Sequence, residues 1–369
     1  MSYPNRWLRA LTLLLLAGCS NGPTTGPGVT PPPECTFTNP VDFGADPSVM
    51  RKDGWYYLVA SRDRGIYLQR SRNLTDLTRQ NGVRVWAAPD TGWNQANVWA
   101  PEIHFLDGRW YIYYAAGRPG PPDAPFIYQR SGVLQSVGED PQGEYVSRGM
   151  LYTGNDVVAD TGNIWAIDLT VERLNGQLYA VWSGWERNTT IARTPQHLYM
   201  ATMSDPATIS SNRVRISSPT ESWERREDPV DGLDLQEGPQ FLRNGEHVFI
   251  IYSTRESWLP AYRLGQLRLT NPGDPMNPAS YVKSGPVFMP TAAVPGVGHG
   301  SFTVSPDGTE SWHVYHAKTS ATPGWERVIR MQRFTWNADG SPNFGAPAPS
   351  GQPIPLPSGE CSQRSSTGG

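Results

Sequence analysis

Short runs of apolar and aromatic residues, each closed by a tight turn, recur along the chain. In the clearest of them, Val49 and Met50 belong to one strand, and Lys52-Asp53-Gly54 turns the chain with glycine supplying a positive φ. Trp55-Tyr56-Tyr57-Leu58-Val59-Ala60 then returns as an aromatic-rich strand. The phrase comes back four times. Ile103-His104-Phe105 turns at Asp107-Gly108 into residues 110–114, and Leu169-Thr170-Val171 turns at Asn175-Gly176 into 178–182. Gln240-Phe241-Leu242 turns at Asn244-Gly245 into 247–252, and Phe302-Thr303-Val304 turns at Ser305-Pro306-Asp307-Gly308 into 312–316. Each pair has a companion strand, predicted over 65–71, 126–130, 197–202, 262–269 and 327–334. No long stretch shows a 3.6-residue apolar period, and 117–125 and 219–235 are the longest loops.

Five repeats, each a small antiparallel sheet, predict an all-β, five-bladed β-propeller. Aligned on the turn glycine, one slot at the start of each inner strand holds Asp46, Ala100, Asp168 and Glu237. His299 takes it one place further out, because its turn is longer. In a closed ring that slot faces the axis in every blade, so three carboxylates and an imidazole are expected to converge. Such a group suits general acid/base hydrolysis: one carboxyl stays protonated to donate to a leaving oxygen, one stays ionised to activate water, and crowding of like charge keeps the acid protonated. The plainer alternative is that each acid caps a turn by accepting from backbone amides. It accounts for any one of them, and less well for three in one slot.

Composition narrows the choice. The 369 residues include 14 Trp, 16 Tyr, 37 Gly and 35 Pro with 38% apolar residues, ample for a core with many turns. A net charge of −3 without a basic run leaves no footprint for nucleic acid. There is no GxSxG elbow for Ser/His/Asp hydrolysis and no glycine-rich phosphate loop.

The N-terminus has a targeting pattern: Arg6 and Arg9, an apolar run over 11–16 too short to span a bilayer, then Leu16-Ala17-Gly18-Cys19. Leu-Ala-Gly-Cys is similar to a bacterial lipoprotein cleavage box. It makes 1–18 a signal peptide and Cys19 the lipidated residue of an exported protein held on a membrane, on its periplasmic or cell-surface face; a plain secretory signal is the alternative. Residues 19–34 form a Pro/Gly/Thr tether, 35–361 the propeller and 362–369 a tail. Cys35 and Cys361 stand at the two ends of the folded region, where a disulfide would staple the propeller seam; two free thiols are the alternative. No CxxC supports a zinc site. A monomer is expected.

Ala45-Asp46-Pro47-Ser48-Val49, Trp99-Ala100-Pro101-Glu102-Ile103, Ala166-Ile167-Asp168-Leu169, Glu237-Gly238-Pro239 and Gly298-His299-Gly300-Ser301-Phe302 resemble the blade motifs of glycoside hydrolase family 43, over residues 37–356. The resemblance implies a five-bladed propeller that cuts arabinans, arabinoxylans or xylo-oligosaccharides with inversion. It makes Asp46 the general base, Asp168 the residue that orients the acid and raises its pKa, and Glu237 the general acid. Leu169 departs from the pattern, in which proline often follows this aspartate. His299 resembles an axial histidine that holds a metal ion, often calcium, through water; a structural ion of this kind is the one cofactor implied. Calcium prefers oxygen ligands, so a hydrogen-bonded channel histidine without an ion stands beside that expectation. Arg327 resembles a sugar-contacting arginine, with a surface strand residue as the alternative. Trp99 and Trp165 are candidate sugar contacts, against blade-to-blade packing, and Glu102 is a supporting residue off the shared slot. The motifs look closest to exo-acting α-L-arabinofuranosidases. β-Xylosidase and endo-arabinanase remain alternatives. A silent carbohydrate-binding surface propeller is the alternative of another class, although it has no need of three axial acids.

Overall fold

The computed structural model describes residues 35–78, 81–226 and 232–362. The signal peptide, Cys19 and nearly all of the tether and tail expected at the ends lie outside these residues.

Five antiparallel sheets form the fold. Their inner strands are Ser48–Lys52, Ala96–Leu106, Ala166–Leu174, Gln236–Asn244 and Gly298–Val304, in blades I to V. The tight turns set these hairpins. Lys52 pairs with Trp55 across Asp53-Gly54, both in the left-handed region at φ +51° and +74°, and Asp107-Gly108 and Asn175-Gly176 repeat the arrangement. This is the two-residue turn whose twist matches the strands it joins.

Because each sheet packs on two neighbours, second and third strands are apolar on both faces. Five clusters fill the gaps between blades: Val59 and Leu68 against Ile112 and Tyr114; Tyr113 and Val133 against Trp182 and Tyr199; Val181 and Met200 against Ile250 and Tyr252; Phe249 against Tyr315; and Val49 and Leu58 against Val314 and Met331. The ring closes with chain from both ends. Asp42–Phe43 adds the outer strand of blade V beside Val328 and Ile329, Thr36–Thr38 pairs with Pro353–Pro355, and Cys35 is disulfide-bonded to Cys361.

Two sequence expectations need correction. The third strand of blade II is Arg130–Ser136, and residues 126–129 form the turn before it. The aromatic residues there serve loop packing: Phe126 meets the Trp99 ring edge-on at 4.7 Å and its carbonyl accepts from Trp165 Nε1 at 2.8 Å. The second correction concerns the slot. In blade IV, Asn244 pairs with His247, so the turn is Gly245-Glu246 and glycine is its first residue. Aligning on the glycine therefore slips blade IV by one. Backbone geometry gives the true equivalence. The ladder breaks between Trp99 and Glu102, Ile167 and Thr170, Glu237 and Gln240, and Gly298 and Ser301. The left-handed residues at these bulges are Ala100, Asp168, Gly238 and His299, matched by Asp46 just ahead of the first inner strand. Glu237 precedes this position rather than occupying it.

Candidate active site

Four of the five axial residues are not glycine, yet hold φ between +42° and +55°. Such backbone costs on the order of 1–3 kcal/mol each and persists where its surroundings over-determine it. Here they do. The Asp46 N–H donates to His316 Nδ1 at 3.1 Å, the His299 N–H donates to Ser253 Oγ at 2.8 Å, and the Asp168 carboxylate accepts from the Gly238 N–H at 2.9 Å. Gly238 combines φ +54° with a would-be Cβ 3.1 Å from the His299 ring, so both conformation and space favour glycine there.

The side chains meet as the ring predicts. His299 Nδ1 lies 3.3 Å from Asp46 Oδ1 and 3.9 Å from Asp168 Oδ2, and Arg327 Nη1 lies 3.6 Å from Asp46 Oδ1. Glu237 accepts from the Tyr262 hydroxyl at 2.8 Å. Asp168, Glu237 and His299 are each 7–8% exposed, open to the axis and otherwise enclosed.

The three carboxyls differ electrostatically. Burial alone would raise Asp46, but His299 and Arg327 outweigh it and hold this carboxyl well below the usual carboxylate range. Asp168 is pushed up to about 6, by burial first, against the pull of His299 and with the repulsion of Asp46. Glu237 is raised well above its ordinary value by burial and then by Asp168. One carboxyl is thus kept ionised and one protonated, a division of labour between neighbouring acids that general acid/base catalysis requires.

Blade II contributes no axial acid. Its carboxylate is Glu102, two positions after Ala100, which accepts from Thr170 Oγ1 and Gln240 Nε2 and faces His104 Nε2 at 2.5 Å. It lines a channel cavity of about 330 Å³ with Met50, Gln240 and Thr303, one layer beneath the acids. Glu102 therefore supports the site from below.

Arg327 reaches the centre as expected. Trp165 is a wall residue, 3% exposed and stacked on Trp185 at 4.6 Å, and Trp99 joins the same cluster half-buried. For Trp165 in particular, blade packing accounts for the ring. Calcium takes six to eight oxygen ligands. Among the described residues no group of three or more His, Cys, Asp or Glu could hold a metal ion, and His299 Nδ1 faces two carboxylates. The side chains present do not build a calcium cage.

Sequence reasoning missed Tyr262, His316, Ser253 and Gly238. One signal was available: an added Cβ at Gly298 would run into the Tyr262 ring and one at Gly300 into His313. The glycines flanking His299 thus mark close approach at the axis.

Comparisons agree with this geometry. The family model described as glycosyl hydrolases family 43 matches residues 37–342. An extracellular exo-α-(1→5)-L-arabinofuranosidase of Streptomyces avermitilis is 36% identical over 334 residues, 86% of this chain and 65% of that protein. A protein of the same description from Streptomyces chartreusis is 32% identical, over 83% of this chain and 90% of its own length. The crystal structure of an α-L-arabinofuranosidase from Lactobacillus brevis superposes with a TM-score of 0.74 at 29% identity, covering 86% of this chain and 98% of that one. The chain thus spans just under two thirds of the first of these relatives, and its propeller is matched almost end to end by the crystal structure. With five blades, three axial carboxyls and a family match over nearly all of the propeller, the chain belongs to glycosyl hydrolase family 43.

Proposed function

We propose that this protein is an inverting, exo-acting α-L-arabinofuranosidase that removes arabinofuranose from arabinan, arabinoxylan or their oligosaccharides. The observation that carries the reading is the pairing at the axis of a carboxyl held ionised, Asp46, with one held protonated, Glu237. Asp46 takes a proton from water as its oxygen attacks the anomeric carbon. Glu237 gives its proton to the glycosidic oxygen as that bond breaks. Asp168 keeps Glu237 protonated by its charge, and Arg327, 3.6 Å from Asp46, helps to hold the base ionised. The sugar preference rests on the relatives, which are named for arabinofuranosidase activity.

The same reading takes in location. The Leu16-Ala17-Gly18-Cys19 box, the Cys35–Cys361 disulfide and relatives named as extracellular support export, with the chain tethered by a lipid on Cys19. Release of sugar from p-nitrophenyl α-L-arabinofuranoside, p-nitrophenyl β-xyloside and linear arabinan, run side by side, tests the substrate. Arabinose is expected from the first and third; xylose alone would replace the reading with a xylosidase. Proton NMR of the first-formed anomer tests inversion, and metabolic labelling with palmitate, lost in Cys19→Ala, tests the anchor.

A further inference from the structure

Tyr262 stands just ahead of the strand Arg263–Leu269 in blade IV and is fully buried. Its hydroxyl lies 2.8 Å from Glu237 Oε1, and the Ser253 hydroxyl acts on the same phenol oxygen. Ser253 in turn accepts from the His299 N–H at 2.8 Å. The peptide N–H donates to Ser253, the Ser253 hydroxyl acts on Tyr262 as a donor, in the sense that lowers the phenol pKa, and the Tyr262 O–H donates to Glu237 Oε1. Burial and the nearby Glu237 push the phenol well above 10, so it remains a donor.

The Tyr262 ring stacks on His316, centroids 5.4 Å apart and planes 9° from parallel. His316 is fully buried, and burial lowers it to about 4, so the ring is neutral. His316 Nδ1 meets Asp46 twice, at 3.1 Å from its N–H and 3.2 Å from Oδ1, while Nε2 has no hydrogen-bond partner among the described residues. His316 is thus fixed to Asp46 through one ring nitrogen, at both its backbone and its carboxylate.

We propose that Tyr262 and His316 are positioning residues that brace the acid against the base. Tyr262 occupies Oε1 of Glu237 so that the transferable proton sits on Oε2, and His316 supports Tyr262 on one side and the left-handed backbone of Asp46 on the other. The inference rests on the assignment of Glu237 as acid and Asp46 as base. The groups acting on Glu237 are Asp168 from blade III, Asp46 from the start of blade I, Arg327 from blade V, and Tyr262 itself, and the His299 ring lies against the neighbouring Gly238.

The test is Tyr262→Phe, with folding checked by its melting curve. A hydroxyl that donates to a carboxyl favours the ionised form, so its loss raises the pKa of Glu237. The Glu237 carboxyl resonance in ¹³C-glutamate-labelled protein, assigned through Glu237→Gln, then titrates at higher pH than in the wild type. The basic limb of the rate profile moves up with it. kcat on arabino-oligosaccharides falls about 30-fold at unchanged KM, and much less on p-nitrophenyl arabinofuranoside, whose leaving group needs little protonation. An unmoved carboxyl titration, or equal losses on both substrates, overturns the proposal. A moved titration in a protein whose wild type leaves arabinofuranosides intact supports the brace and overturns the substrate assignment instead. His316→Leu lowers kcat about tenfold on both substrates and His316→Asn, which keeps an acceptor, restores most of it; failure of that rescue removes His316 from the brace. Should Tyr262→Phe unfold, site-specific 3-fluorotyrosine keeps the volume, strengthens the donor and must move the titration the other way.

Discussion

Blades III and IV begin with the same phrase and use it differently. In blade III the carboxylate belongs to the left-handed residue of the bulge, Asp168 at φ +55°. In blade IV that place falls to Gly238, and the carboxylate, Glu237, stands one residue earlier on ordinary backbone. The offset joins the two. Gly238 is freed to aim its N–H at Asp168, while Glu237 turns to Tyr262. A strict repeat would have placed two acids in identical settings. Breaking the repeat by one residue gives one acid a peptide donor and the other a phenol; burial raises both, with His299 pulling Asp168 down and the charge of Asp168 pushing Glu237 further up.

The largest effect in this comparison is expected from blade IV. Glu237→Gln keeps shape and loses the proton, and kcat on arabino-oligosaccharides should fall by roughly 10²–10⁴, the range for a lost general acid. Steady-state rates on a natural substrate measure it, and near-normal turnover would hand the acid role elsewhere. Asp46→Asn should fall as far, through loss of the base.

Blade III comes next, with activity and stability moving in opposite directions. The Asp168 carboxyl is held at about 6 instead of 3.8. A carboxyl raised by folding is neutral for stability below its unfolded value and costs stability as pH rises toward its folded value. For a buried group shifted this far the cost above pH 6 is on the order of 3 kcal/mol. Asp168→Asn should therefore lose activity about a hundredfold, gain stability over the wild type at pH 7.5, and match it near pH 4. Urea denaturation at the two values checks this, and equal differences at both would mean that Asp168 is not the strained group.

The hinge between the blades is smaller still. Gly238→Ala retains the N–H but must hold φ +54° beside the His299 ring. A cost of about 1–2 kcal/mol and a kcat loss of about tenfold are expected, read from melting curves and rates. The least change should come from a chelator. With no side-chain cage for a metal among the described residues, dialysis against EDTA should leave the melting temperature within a few degrees; a large drop restorable by calcium would place an ion at His299.

The sequence by itself determined the ring and most of what faces its axis. Asp-Gly and Asn-Gly turns between aromatic strands leave few choices of hairpin, and such hairpins stack because each buries both faces only against its neighbours. Asp46, Asp168, Glu237 and His299 follow from that repetition, as does the meeting of Cys35 with Cys361, whereas Arg327 came from the family resemblance. The tertiary structure alone decided where the slot lies in blade IV, since Asn244-Gly245-Glu246 allows glycine to stand first or second in the turn and only strand pairing selects between them. It also decided that Trp165 packs as wall and that Tyr262, Ser253 and His316 reach the acids. Ser253 and Tyr262 meet Glu237 through strand pairing inside blade IV, and His316 meets Asp46 where the last blade closes on the first; neither is set by the alternation along a single strand.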